Sequence, residues 1–129
     1  MIEIKLLNET SIAELCDKIG VNAPQGLLVY AAIERGEPLG CCGFIVDGEN
    51  GALLFTHMEQ DGLSPIEDGL LRASLSMMYE HGVLNADCKG GIPEIRLRAL
   101  GFKQKDDVYK LNFKNSFLTQ ECHCAAKKE

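Results

Sequence analysis

The chain has no block of basic residues before the Lys127-Lys128 pair near its end. Nineteen acidic residues stand against thirteen basic ones, which gives a formal net charge of -6. An acidic surface repels phosphodiester backbones, because affinity for nucleic acid depends on contacts between Lys or Arg and phosphate. We therefore expect no binding to nucleic acid.

The chain also lacks a signal-peptide pattern and a run of about 18 apolar residues. Both absences favour a cytoplasmic protein with no membrane partner. In that compartment the six cysteines indicate thiols or metal ligands, since a disulfide framework belongs to oxidising compartments.

No repeat, low-complexity tract or linker divides the 129 residues, which suffice for one domain with a core. Strands are expected at 1–7, 27–33, 39–46, 52–58, 83–88 and 108–113, and helices at 10–19, 64–82 and 93–100. Turn residues between the second, third and fourth strands predict an antiparallel meander. The order β-α-β-β-β-α-β-α-β predicts a single α+β domain with a mixed sheet over residues 1–115. A Cys/His-containing tail follows over residues 116–129.

The segment 64–82 carries the start and stop signals of one helix. Ser64 is a typical N-cap, Pro65 suits the first helical position, and Glu67 completes a capping box with Ser64. Gly82 is typical of the residue that follows a helix. Helix starts bind phosphates through free amides and the positive end of the dipole, but here Glu67 and Asp68 put carboxylates in that place.

Residues 99–103, Ala-Leu-Gly-Phe-Lys, resemble the Leu-Gly-Phe ending of the last helix in the GNAT superfamily of acyl-CoA-dependent N-acyltransferases. The meander, the strand-to-helix junction and the central helix extend the resemblance over residues 27–113. The resemblance implies a GNAT-like mixed sheet and an acetyl-CoA cofactor. In that family, spaced glycines at the start of the central helix wrap the coenzyme's diphosphate in backbone amides.

The sequence departs from this family pattern at the residues that would hold the coenzyme. Pro65 and Glu67 stand where the glycines belong. Pro65 has no amide hydrogen to donate, and the negative charge of Glu67 repels a diphosphate. The family's Tyr on the last helix is absent from residues 95–98, Ile-Arg-Leu-Arg. One N-terminal helix is expected where the family commonly has two.

The resemblance also implies roles for individual residues. Glu59, just after the fourth strand, matches a general base that acts on an acceptor amine through water, and His57 could relay a proton. The alternative is that Glu59 is a solvated loop acid and His57 a packing or surface residue. The backbone of Phe55 and Thr56 would face a pantetheine arm. At the helix start, Ser64 and Ile66 would contact the coenzyme.

A second constellation lies in the tail, where Cys122, His123 and Cys124 offer ligands for zinc or another soft metal. Further ligands would have to come from elsewhere in this chain or from a second chain. The candidates in this chain are Cys88 and either Cys41 or Cys42, since those two neighbours point to opposite faces of a strand. The alternative is that the tail thiols are incidental and the other cysteines fill the core. Gly90-Gly91 is either a phosphate nest or a flexible turn.

Two functions fit this sequence. The first is a GNAT-like module with a degenerate diphosphate loop, non-catalytic or weakly active, which senses a small-molecule ligand or binds a protein partner. The second is an acyl-CoA-dependent N-acetyltransferase that acts on a small amine. Pairing through exposed strand edges would give a homodimer in either case.

Overall fold

The structure, a computed structural model, describes residues 2–115. Its strands are β1 (Ile2–Leu6), β2 (Leu28–Glu34), β3 (Glu37–Asp47), β4 (Asn50–Met58), β5 (Asn85–Cys88), β6 (Lys103–Lys105) and β7 (Val108–Asn112). Its helices are α1 (Glu9–Ile19), α2 (Ser64–Glu80) and α3 (Glu94–Ala99), and a 3-10 turn covers Phe113–Asn115.

The seven strands form one sheet in the order β1-β2-β3-β4-β5-β7-β6. All neighbours are antiparallel except β4 and β5, which run parallel because α2 crosses over between them. This mixed sheet with its meander confirms the predicted α+β fold. Strand β6 was not predicted, because its Lys-Gln-Lys sequence has no apolar position; it forms a hairpin with β7.

Both faces of the sheet carry core side chains. The larger cluster lies between the sheet and helices α2 and α3, and the smaller one lies under α1. Cys41 belongs to the smaller cluster and Cys42 to the larger one, as strand alternation predicts. The sheet therefore separates two core clusters, and strand β4 contributes side chains to both of them.

Helix α1 begins at Glu9, one residue before the expected start, and helix α2 lacks the predicted cap. Asn8 caps α1 by accepting a 2.8 Å hydrogen bond from the Ser11 amide, so Thr10 and Ser11 lie inside the helix. The residue before α2 is Leu63, and no side chain caps that helix start. Within residues 2–115, no helix combines the length and apolarity that a bilayer crossing requires.

Candidate functional site

The junction between β4 and α2 is the candidate site, and a bulge in β4 shapes it. Gly43 pairs with Phe55 and Phe44 pairs with Leu53, so Leu54 is an extra residue on β4. Bulges bend a strand and interrupt its pairing. β4 pairs with β5 only over Asn50–Ala52 and then continues to Met58 without that neighbour. A wedge therefore opens between the two parallel strands.

The segment that follows β5 fills this wedge. The Thr56 amide donates a 3.1 Å hydrogen bond to the Gly91 carbonyl oxygen. Gly91 has φ +80°, and a Cβ at this position would collide with the Leu54 carbonyl oxygen. Only glycine fits such a close approach in that conformation. Of the two readings of Gly90-Gly91, the structure supports a turn that lies against β4.

The start of α2 contradicts the predicted capping box. Ser64 is the first helical residue, and the amides of Ile66 and Glu67 both donate to the Leu63 carbonyl oxygen at 3.0 Å. The Glu67 carboxylate instead accepts a 2.8 Å hydrogen bond from the Thr56 hydroxyl. The predicted capping box was wrong because the Glu67 carboxylate is hydrogen-bonded to the Thr56 hydroxyl on β4 and not to the start of its own helix.

Glu67 joins three elements at this junction. Its side chain is 13% exposed, and Oε1 lies 3.5 Å from Nε of Arg96 on α3. The opposite carboxylate oxygen holds Thr56 on β4. A carboxylate in the first turn is also favoured by the helix dipole. The positive end of α2 is therefore matched by the chain's own anion.

The contact between Arg96 and Glu67 was not predicted from the sequence. The two residues are far apart in sequence. No local spacing rule connects them, since α3 reaches α2 only when both pack on the sheet. Ser64 is exposed, and Ile66 packs at the margin of the larger core cluster.

His57 on β4 and Glu59, one residue beyond the end of that strand, lie together on the face opposite Thr56. Nε2 of His57 is 3.7 Å from Oε1 of Glu59, and Nζ of Lys18 on α1 is 4.0 Å from the same oxygen. The Glu59 amide donates to the Leu39 carbonyl oxygen at 3.0 Å, which fixes the backbone there. All three side chains are exposed by about one-third or more. The structure therefore brings the two predicted catalytic side chains together at the surface, beside Lys18.

Phe55 shares the His57 face of β4. Its ring lies over Gly43, where a Cβ would clash with it, and it packs against the cluster under α1. Thr56 points to the other face, toward Glu67. The two predicted pantetheine contacts therefore belong to one strand segment, and the Thr56 amide already has a partner.

The cysteines of residues 2–115 are buried, and none belongs to a group of three His, Cys, Asp or Glu side chains suited to a metal. Burial raises the pKa of the Cys41 thiol to about 11, helped by the nearby Cys16 and Glu59. Burial also raises the pKa of the Cys42 thiol to about 12. Burial therefore disfavours the thiolate form of both side chains. The predicted ligands Cys122, His123 and Cys124 lie outside the described residues.

A groove over the β4-β5-β7-β6 half of the sheet is a second candidate site, which no sequence pattern predicted. Its volume is about 560 Å³, within the range typical of small-ligand sites. Lys103 lies directly opposite Lys110, and Lys110 lies opposite Asp87. Lys105 and the amides of three asparagines complete the polar lining: Asn50, Asn85 and Asn112. Like charges directly opposed across a ladder are unfavourable, and Asp87 on the other side of Lys110 offsets part of this repulsion.

No protein-family model matches the chain. No curated protein is significantly similar to it in sequence.

Solved structures, in contrast, match the fold over most of the chain. A ribosomal-protein alanine N-acetyltransferase from Escherichia coli is 13% identical with TM-score 0.70, over 87% of this chain and 94% of that one. A GNAT family acetyltransferase from Brucella melitensis in complex with acetyl-CoA is 17% identical with TM-score 0.67, over 91% of each chain. The PaiA N-acetyltransferase from Thermoplasma acidophilum in complex with coenzyme A is 12% identical with TM-score 0.64, over 87% and 99%. The chain has the GNAT fold.

Proposed function

We propose that this chain is a GNAT-fold module that does not hold acyl-CoA at the start of α2 and that acts in ligand sensing or protein interaction. The observation that carries the proposal is the Glu67 carboxylate, held by Thr56 and Arg96 where the family's coenzyme diphosphate would lie. A diphosphate there would meet a fixed negative charge. Displacing Thr56 and Arg96 from the Glu67 carboxylate would leave a largely buried charge without partners, which is costly.

The filled wedge supports the same conclusion. A pantetheine arm needs free backbone groups along β4, and the Thr56 amide is bonded to Gly91. Gly91 touches Leu54 closely enough that the segment after β5 would have to move before an arm could enter. The residues present do not fit acyl-CoA in the manner of the family.

The wild-type chain is expected to show no acetyl-CoA binding by calorimetry and no rise in melting temperature at about 1 mM ligand. The matched comparison is Glu67→Gly, which restores the glycine of the family pattern and removes the charge. ADP serves as a control for binding to any basic surface. A micromolar affinity of the wild type for acetyl-CoA, with ADP inert, would overturn the proposal.

The groove between β4 and β6 is the proposed ligand site, and its lysines favour a small anion. We expect inorganic pyrophosphate to shift the amide resonances of Lys103 and Lys110, with an affinity that falls as salt rises. Lys110→Ala should weaken the shift several-fold. Exposed Lys18 on α1 is the matched control, and Lys18→Ala should leave the titration unchanged. An anion that leaves the groove resonances unmoved would exclude this site while leaving the acetyl-CoA result standing.

The second candidate function is an N-acetyltransferase that acts on a small amine. It is favoured by the cluster of His57, Glu59 and Lys18, in which Glu59 or His57 would remove a proton from the amine. Amine-dependent release of thiol from acetyl-CoA, lost in Glu59→Gln, would support this function over the first. For zinc or another soft metal, elemental analysis of the full chain with and without residues 122–124 is the corresponding test.

A further inference from the structure

Strand β1 is an open edge of the sheet with apolar side chains along it. It pairs with β2 on one side and ends the strand order on the other. Ile2, Ile4 and Leu6 are 42%, 38% and 41% exposed. Exposed edges with apolar residues are templates for pairing with another chain.

The hydrogen bonds to β2 determine which groups of β1 point outward. Leu7 donates its amide to the Val29 carbonyl oxygen at 2.9 Å, one step beyond the β1–β2 register. Bonded and non-bonded residues alternate along an antiparallel pair. Glu3 and Lys5 therefore exchange hydrogen bonds with β2, while Ile2, Ile4 and Leu6 direct their amides and carbonyls to the open edge.

We propose that a second copy of this chain pairs with β1 in an antiparallel, two-fold symmetric arrangement centred on Ile4. In this register Ile4 faces Ile4 of the other copy, and Ile2 faces Leu6. The outward amides and carbonyls of these residues then meet as hydrogen-bonded pairs. The two sheets join into one continuous sheet.

The charges of β1 are complementary in the same register. Glu3 lies opposite Lys5 of the other copy, and the symmetry repeats the pair. Both are non-hydrogen-bonded positions, where side chains approach most closely. Opposite charges at directly opposed positions stabilise an antiparallel pair. The five residues Ile-Glu-Ile-Lys-Leu are thus self-complementary in charge and in backbone groups.

The apolar side of β1 also becomes covered. Ile4 lies beside Gly69 of α2, where a Cβ would come within 3.2 Å of its Cδ1. Because glycine has no side chain, α2 leaves the apolar row of β1 partly open. In the dimer this row meets its symmetry mate on the α2 side, and apolar surface is buried on both copies.

The opposite edge of the sheet does not have these properties. β6 consists of Lys103, Gln104 and Lys105, so self-pairing about Gln104 would put Lys103 opposite Lys105. Like charges and a three-residue strand are the devices by which proteins protect an edge. The contrast identifies β1 as the edge that pairs.

Sedimentation over a dilution series should show a reversible dimer, with a dissociation constant of about 1 to 100 µM for so short a pairing. Glu3→Lys and Lys5→Glu each create two like-charge pairs and should weaken self-association about tenfold or more. Mixing these two variants should restore wild-type association, because each strand position 3 then faces an opposite charge at position 5 of the other copy. Glu49→Lys, an exposed turn residue in the middle of the sheet, controls for net charge.

Amide hydrogen exchange in the full chain locates the interface. As concentration rises, exchange should slow at Ile2, Ile4 and Leu6, while Glu3 and Lys5 are already protected by β2. A wild-type chain that stays monomeric at about 1 mM would overturn the proposal. A dimer indifferent to both charge reversals, or a mixture no tighter than its components, would overturn it as well.

Discussion

Replacing Gly91 with alanine is expected to lower the free energy of unfolding by about 3 to 4 kcal/mol, or roughly 10 °C in melting temperature. Two causes add at this residue. Its φ of +80° is strained for any residue with a Cβ, and that Cβ would meet the Leu54 carbonyl oxygen. Because the obstacle is backbone within the sheet, it cannot rotate away. Urea unfolding followed by circular dichroism measures the difference.

Gly90 supplies the matched control for this substitution. A Cβ at Gly90 would meet nothing within 4 Å, and its φ lies outside the left-handed region. Gly90→Ala should therefore change the free energy of unfolding by less than about 1 kcal/mol. Equal effects of the two substitutions would mean that the contact between Gly91 and β4 is not formed in solution. The wedge would then be open to a ligand.

Glu67→Ala is expected to lower the free energy of unfolding by about 2 to 3 kcal/mol. The substitution leaves the half-buried Arg96 without its carboxylate and removes the acceptor of the Thr56 hydroxyl. Uncompensated charge near the protein interior is the larger part of this cost, and the lost hydrogen bond adds about 1 kcal/mol. Thermal and urea unfolding of the two proteins give the difference.

Two further variants separate the parts of this effect. Thr56→Val keeps the shape of the side chain and should cost about 1 kcal/mol, since only the hydroxyl bond is lost. Glu80→Ala, at the exposed end of the same helix, should be near neutral. If Glu67→Ala were as mild as Glu80→Ala, the carboxylate would not be anchored, and the charge that argues against a diphosphate could swing aside.

Gly91 and Glu67 both bear on whether a coenzyme can bind at the junction between β4 and α2. Gly91 occupies the space along β4, and Glu67 occupies the positive end of α2. A coenzyme would have to displace both at once. If substitutions at both positions lower the free energy of unfolding and the wild-type chain does not bind acetyl-CoA, the results support a module whose own residues occupy the coenzyme site.

The local sequence determined most of the fold. Turn residues around Arg35-Gly36 and Asp47-Gly48 define the three-strand meander, and helical spacing of apolar residues defines α2. Strand alternation correctly separated Cys41 from Cys42, because it follows from backbone geometry alone. Strand β6 could not be predicted, because a three-residue polar strand is defined only by its pairing with β7.

The site was decided by tertiary contacts. The sequence correctly placed Glu67 in the first turn of α2, but the local capping-box rule predicted Ser64, three residues away, as its hydrogen-bond partner. Folding brings Thr56 from β4 and Arg96 from α3 to the same carboxylate, and these partners prevail over the local one. Likewise, the glycine pair was evident in the sequence, but its contact with Leu54 exists only once β4 bends. Sequence patterns report neighbours along the chain, whereas the charge and space of this site depend on segments that meet only in the folded sheet.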